Sequence, residues 1–229
     1  MIDTLSLAKQ ILKDLYIKYS ERGAISIYLW GSIITDDFSP ETSDVDAVAI
    51  AKDDLSLEEE RVINDILTHS GVKDFKIRFV YLSEFNGGEA RSNLARSINP
   101  KLLLNDFKYW QHVAGKKFTQ ADFAMPDASL SELVQIVSRE LRQRYIPELE
   151  TKPENYKYFL KACARAVYYF QQIRLNKTWP FSYTALAAHA SPDDHEIVEA
   201  ILKLKESNWD YQLFQRLAPF IVSEIMNII

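Results

Sequence analysis

Three short runs rich in β-branched and aromatic residues, AISIYLW (24–30), VDAVAIA (45–51) and FKIRFVYL (75–82), fall within the first 82 residues of a 229-residue chain. Runs of this length bounded by turn formers read as strands. From Pro100 onward the apolar residues recur at helical spacing nearly everywhere, over 102–113, 130–149, 156–175, 184–190, 195–204 and 211–228. The chain is therefore expected to be α+β: a front domain with a short mixed sheet and flanking helices, then an all-α bundle. The segment GKKFTQADFAMPDAS (115–129) loses periodicity and collects turn residues, so the division is expected there, as domains 1–120 and 121–229.

Local signals sharpen the front half. Leu5, Ala8, Leu12, Leu15 and Tyr19 share one helical face, and Gly23 follows as a terminator. Ser56 with Glu59 resembles a capping box opening a helix that runs to Leu67. The expected order is helix, strand, strand, helix, strand.

Composition limits the classes of function. The chain is 47% hydrophobic and 26% charged, enough for one or two folded cores, and its net charge of −5 makes a nucleic-acid partner unlike its overall balance. It has no window of about 18 uncharged apolar residues, and its start carries charges at helical spacing, so no membrane span and a cytoplasmic location are expected. Cys163 is the sole cysteine and, between Ala162 and Ala164, reads as a small core residue. The four histidines have no metal-ligand spacing.

Chemistry concentrates between the first two strands, in WGSIITDDFSPETSDVD (30–46). A glycine at the end of a strand lets the backbone turn sharply and approach a ligand, and Ser32 adds a hydroxyl beside its own N–H. These are donors suited to a phosphate. Asp44 and Asp46 are two apart, so on a strand both carboxylates point to one face and can hold a divalent cation. An Asp-x-Asp triplet alone is commonplace in polar turns. Following strand–Gly–Ser and preceding an apolar strand, it points instead to a triphosphate- and metal-binding edge.

This Gly-Ser, loop, Asp-x-Asp pattern resembles the signature of the DNA polymerase β-like nucleotidyltransferase superfamily. The two-domain layout is similar to that of aminoglycoside nucleotidyltransferases, and 160–190 resembles the helix–basic loop–helix of the streptomycin/spectinomycin type. The resemblance implies a front nucleotidyltransferase domain that transfers a nucleoside monophosphate, AMP from ATP, to the hydroxyl of a small-molecule acceptor such as an aminoglycoside. Gly31 and Ser32 would hold the nucleoside triphosphate and Asp44 and Asp46 would bind Mg2+. Lys177 falls where the resembling enzymes place a triphosphate-contacting lysine, and Phe181 occupies the position of a second one.

Two departures stand out. Position 36 is Asp where many relatives have glycine, and the loop to Asp44 is one residue longer than usual. Relatives also carry a third carboxylate on the following strand, whereas here Asp74, Lys76 and Arg78 are expected to share its exposed face. The acid would then come from Asp74 at the strand entrance or from Glu140, by comparison with a helix of the kanamycin-type enzymes. Arg78 or Lys76 would pair with triphosphate oxygens. Two alternatives follow: a catalytically degenerate nucleotide-binding protein, or an antitoxin-like nucleotidyltransferase modifying a protein or RNA.

Overall fold

The computed structural model describes residues 3–40, 43–53 and 55–229, which form two compact units, Met1–Asp127 and Ala128–Ile229. The first unit opens with helix α1 (Thr4–Tyr19), capped by Asp3, whose carboxylate accepts from the Ser6 N–H. A short 3-10 turn and Gly23, at φ 114°, end it and feed β1 (Ala24–Trp30). Strand β2 (Val45–Ala51), helix α2 (Leu57–Thr68) and strand β3 (Phe75–Tyr81) follow. The capping box at Ser56 is formed reciprocally with Glu59.

Helices α3 (Asn93–Ser97) and α4 (Pro100–Phe107) come next, then a fourth strand, β4 (Gln111–Gly115). The helix expected over 102–113 thus stops at Phe107. Residues 111–115 carry no strand pattern of their own; their extension is fixed by non-local pairing with β1, where Tyr28 faces His112 and Leu29 faces Gln111. The turn into the next segment needs Gly115, at φ +83°, since a Cβ there would sit 2.3 Å from the Ile25 carbonyl oxygen.

The sheet runs β3–β2–β1–β4, with β2–β3 parallel and the other pairs antiparallel. Both its faces are covered. Leu29, Val45, Ala47, Ala49 and Ile77 face α1 and α2 across a core that includes Leu12, Ile63 and Leu67. Tyr28, Val48, Ile50 and Val80 face the opposite way, into a largely aromatic core with Phe85, Phe107, Trp110 and Phe123. Phe123 and Met125 belong to this second core, which carries the first unit past residue 120.

Edge strand β3 needs partners for its outward amides, and side chains supply them. The Ile77 N–H donates to Asn64 Oδ1 (2.8 Å), the Phe79 N–H to Glu60 Oε2 (2.9 Å) and the Tyr81 N–H to Glu84 Oε2 (2.7 Å). Asn64 Nδ2 returns a bond to the Ile77 carbonyl at 2.8 Å. Glu84, fully buried, also accepts from the Arg91 and Ser92 N–H groups and the Ser92 hydroxyl. An exposed ladder edge is thereby converted into a satisfied one.

The second unit is helical throughout its described elements: α5 (Leu130–Glu140), a π-helical turn (Leu141–Tyr145), α6 (Ile146–Thr151), α7 (Tyr156–Leu175), α8 (Tyr183–Ala188), α9 (His195–Glu206) and α10 (Tyr211–Ile228). Helix α7 is the central one, with Cys163, Tyr168 and Tyr169 fully buried, and α5, α8, α9 and α10 pack against it. Burial pushes the Cys163 thiol well up, as befits a core residue rather than a nucleophile. No described helix is long and apolar enough to cross a membrane.

Asn64→Ala removes both bonds to Ile77 and is expected to lower stability by about 1–3 kcal/mol. A urea titration with unchanged slope, together with faster amide exchange at Ile77, checks this.

Candidate active site

The described residues between β1 and β2 are held by local hydrogen bonds at both ends of the loop. After Trp30, Gly31 adopts φ +79° and opens a 3-10 turn over Gly31–Ile34, with Ile33 buried as its anchor. The Ser32 carbonyl accepts both the N–H (2.9 Å) and the hydroxyl (3.1 Å) of Thr35, fixing the backbone around the half-buried Ser32. Farther along, the Ser43 N–H donates to the Ser39 carbonyl at 2.8 Å and the Ser39 N–H to Ser43 Oγ at 3.0 Å. Those two bonds return the chain to β2.

Asp44 is exposed immediately before β2, and Asp46 is half-buried as its second residue. The turn and the second carboxylate meet: a Cβ added to Gly31 would lie 3.4 Å from Asp46 Oδ2. The glycine is thus required for its left-handed backbone, and a Cβ in its place would just touch the carboxylate. Asp46 is in register with Trp30 on one side and Lys76 on the other, so the three form one row across the sheet. The next row is Tyr28, Val48 and Arg78, with Arg78 half-buried. Behind it stand Ser26, Ile50 and Val80, where the one hydroxyl donates to the Ala114 carbonyl. The Trp30 ring, 6.0 Å from that of Trp110, is where the charged edge meets the aromatic core. Nothing in the local sequence around Trp30 marks this role, because the position of Trp110 depends on the turn into β4.

Lys76 and Arg78 follow the strand alternation, but Asp74 does not. It lies just before the first registered pair, Val45 with Phe75, and its φ of 46° takes it out of the extended conformation. The three-residue face expected for Asp74, Lys76 and Arg78 is therefore reduced to the two cations. Among the described residues no group of three or more His, Cys, Asp or Glu side chains is arranged to hold a metal ion, so Asp74 does not complete a three-carboxylate cluster with Asp44 and Asp46.

Glu140 and Lys177 lie in the other unit. Glu140 is half-buried at the end of α5. Burial pushes its carboxyl up, opposed by the nearby Arg165 and Arg144 guanidinium groups. Lys177 is exposed, following the left-handed Asn176 (φ 48°) that ends α7. Phe181 packs against Tyr168 (5.3 Å) and Tyr183 (5.5 Å), and the Arg165 guanidinium lies 5.9 Å from its ring. These contacts make Phe181 and Tyr183 members of a ring cluster.

The architecture is a four-stranded mixed sheet flanked by helices, followed by an all-helical unit. Among solved structures it is shared with spectinomycin adenyltransferase AAD(9) from Enterococcus faecialis, determined with ATP and spectinomycin: the match covers 96% of this chain and 98% of that one, with a TM-score of 0.56 and 10% sequence identity. At that identity the likeness establishes the fold. No protein-family model and no curated protein matches the sequence.

Two measurements test these assignments. Gly31→Ala and Gly71→Ala both force a side chain onto a left-handed backbone (φ +79° and +82°), but nothing lies within 4 Å of a Cβ at Gly71. Each is expected to lose about 1–2 kcal/mol in urea, and only Gly31→Ala should also weaken Mn2+ binding. Glu140→Gln replaces a carboxyl whose folded pKa is raised with a permanently neutral group. The ionised form is the disfavoured one, so the variant should be more stable than the parent at pH 7, an advantage that fades as pH falls through the raised folded pKa and is gone below the unfolded value of about 4.3.

Proposed function

We propose that this protein is a nucleotidyltransferase that moves AMP from ATP to a hydroxyl of a small cationic acceptor of the aminoglycoside class. The observation carrying the proposal is the closeness of the left-handed Gly31 turn to the Asp46 carboxylate at the end of the sheet, with Asp44 two residues away on the same strand approach. The shared fold with an adenyltransferase crystallised with ATP and spectinomycin supports it, as does a net charge of −5, which suits a cationic acceptor.

The residues fit a magnesium ion. Mg2+ is commonly held by one or two carboxylates together with substrate phosphates and water, and Asp44 and Asp46 provide the two carboxylates. When bound, the ion would neutralise triphosphate charge and ease departure of the leaving group. The Gly31–Ser32 turn binds phosphate oxygens through its N–H groups and the Ser32 hydroxyl, and Arg78 contributes a further charge-assisted contact.

The acceptor oxygen forms a bond to the α-phosphorus while the bridging bond to the β-phosphate oxygen breaks. The electron pair leaves with pyrophosphate. The hydroxyl proton passes to a carboxylate, for which Asp74, just before β3, is the candidate in this unit. A second reading, nucleotide binding without turnover, draws on Lys76 and Arg78 occupying the face beside Asp46.

Asp44→Asn and Asp46→Asn are each expected to reduce Mg2+-dependent pyrophosphate release with an aminoglycoside acceptor by on the order of 10²–10³-fold, with thermal unfolding unchanged. Pyrophosphate release that survives both substitutions refutes the assignment. Nucleotide binding without release across an acceptor panel selects the second reading.

A further inference from the structure

Three strands contribute to the row that contains Asp46, and the third contributes a cation. Lys76 is exposed and in direct backbone register with Asp46 in the parallel β2–β3 pair. Neighbouring strands lie about 4.8 Å apart, and successive residues on one face of β3 place Arg78 next, beside Val48. The β3 side of the carboxylate edge is therefore positive over two consecutive rows.

This bears on how many metal ions the site can hold. Paired divalent ions sit about 3.5–4 Å apart, and each needs its own anionic ligands. Here two carboxylates share the strand approach, and among the described residues no third His, Cys, Asp or Glu side chain joins them in a metal-holding group. A second ion on the β3 side would meet the Lys76 ammonium instead of a ligand. An ammonium on a flexible four-carbon stem can, however, serve the same electrostatic purpose towards phosphate oxygens.

We infer that Lys76 replaces a second metal ion: the bound nucleotide is held by one divalent ion on Asp44 and Asp46 and by the Lys76 ammonium on its phosphate oxygens. The inference rests on the nucleotide-binding reading above and adds to it a mononuclear site with a built-in cation. The fixed charge comes with the fold, through the β2–β3 register, and needs no second ion from solution. Lys76 is also exposed, so replacing it leaves the core intact.

The test uses the full chain with α,β-methylene-ATP, which cannot release pyrophosphate, and follows free Mn2+ by electron paramagnetic resonance while nucleotide affinity is measured in the same buffer. Bound Mn2+ should saturate at one ion per chain–nucleotide complex for the parent and for Lys76→Met. Lys76→Met should bind the analogue about tenfold or more weakly, the loss of one contact to a charged group, and Lys76→Arg should keep most of the affinity. Lys76→Glu, which adds a carboxylate in the Asp46 row, should saturate at two ions. Two ions in the parent, or an unchanged affinity in Lys76→Met, overturns the inference while leaving nucleotide binding in place. Failure of the parent to bind the analogue at all refutes the nucleotide reading and the inference together.

Discussion

The row of residues at the candidate site depends on how the outer edge of β3 is satisfied. A parallel edge strand presents a line of amides to solvent, and here Asn64, Glu60 and Glu84 accept from three alternate N–H groups, those of Ile77, Phe79 and Tyr81. Two of the three acceptors come from α2, which the reciprocal Ser56–Glu59 cap starts in the right place. The same helix packs Ile63 and Leu67 into the core beneath the sheet. Helix, edge and sheet are thus tied by hydrogen bonds as well as by apolar burial. With β3 held parallel to β2, Lys76 stands beside Asp46 and Arg78 beside Val48. A one-residue slip would turn both cations into the apolar core.

The other half of the site is set by backbone conformation. Gly31 brings the chain across Asp46 with no Cβ between them, and the Ser32 carbonyl, engaged twice by Thr35, holds that turn. The Gly31–Ser32 turn and the Asp44 and Asp46 carboxylates then share one end of the sheet, while Trp30, Tyr28 and Trp110 form the apolar ground behind them. Charge is kept at the rim, where water and ligands can reach it, and rings fill the interior.

Much of this was legible in the residues. The strands at 24–30 and 45–51 and the helices at 156–175 and 211–228 coincide with the observed β1, β2, α7 and α10, the helices because their apolar residues recur at helical spacing and the strands because they are short, mostly apolar runs buried on both faces. The fourth strand was not legible. Apolar spacing through Leu104, Phe107 and Trp110 continues into a segment whose extended form exists only through its pairing with β1. Register was equally hidden: alternation puts Lys76 and Arg78 on one face, but no local signal says that Lys76 stands beside Asp46. Asp74 escaped for a different reason, since its left-handed φ breaks the alternation one residue before the strand begins.

The π-helical turn at Leu141–Tyr145 bears on Glu140 in a way that concerns chain length. The Ile146 N–H bonds back to the Leu141 carbonyl, five residues earlier, so the turn holds one residue more than an α-helical turn would. Residues of a regular α-helix advance by about 100° each, and those of a wider π turn by less, so the extra residue is absorbed here while the faces before and after the turn keep nearly the relation that an unbroken α-helix would give them. Deleting one of these five positions would let the helix run on in ordinary α form with Glu140 and the following helix in nearly the same relation. At this point, therefore, the chain can lose a residue where a deletion elsewhere in the helix would swing every later side chain to another face.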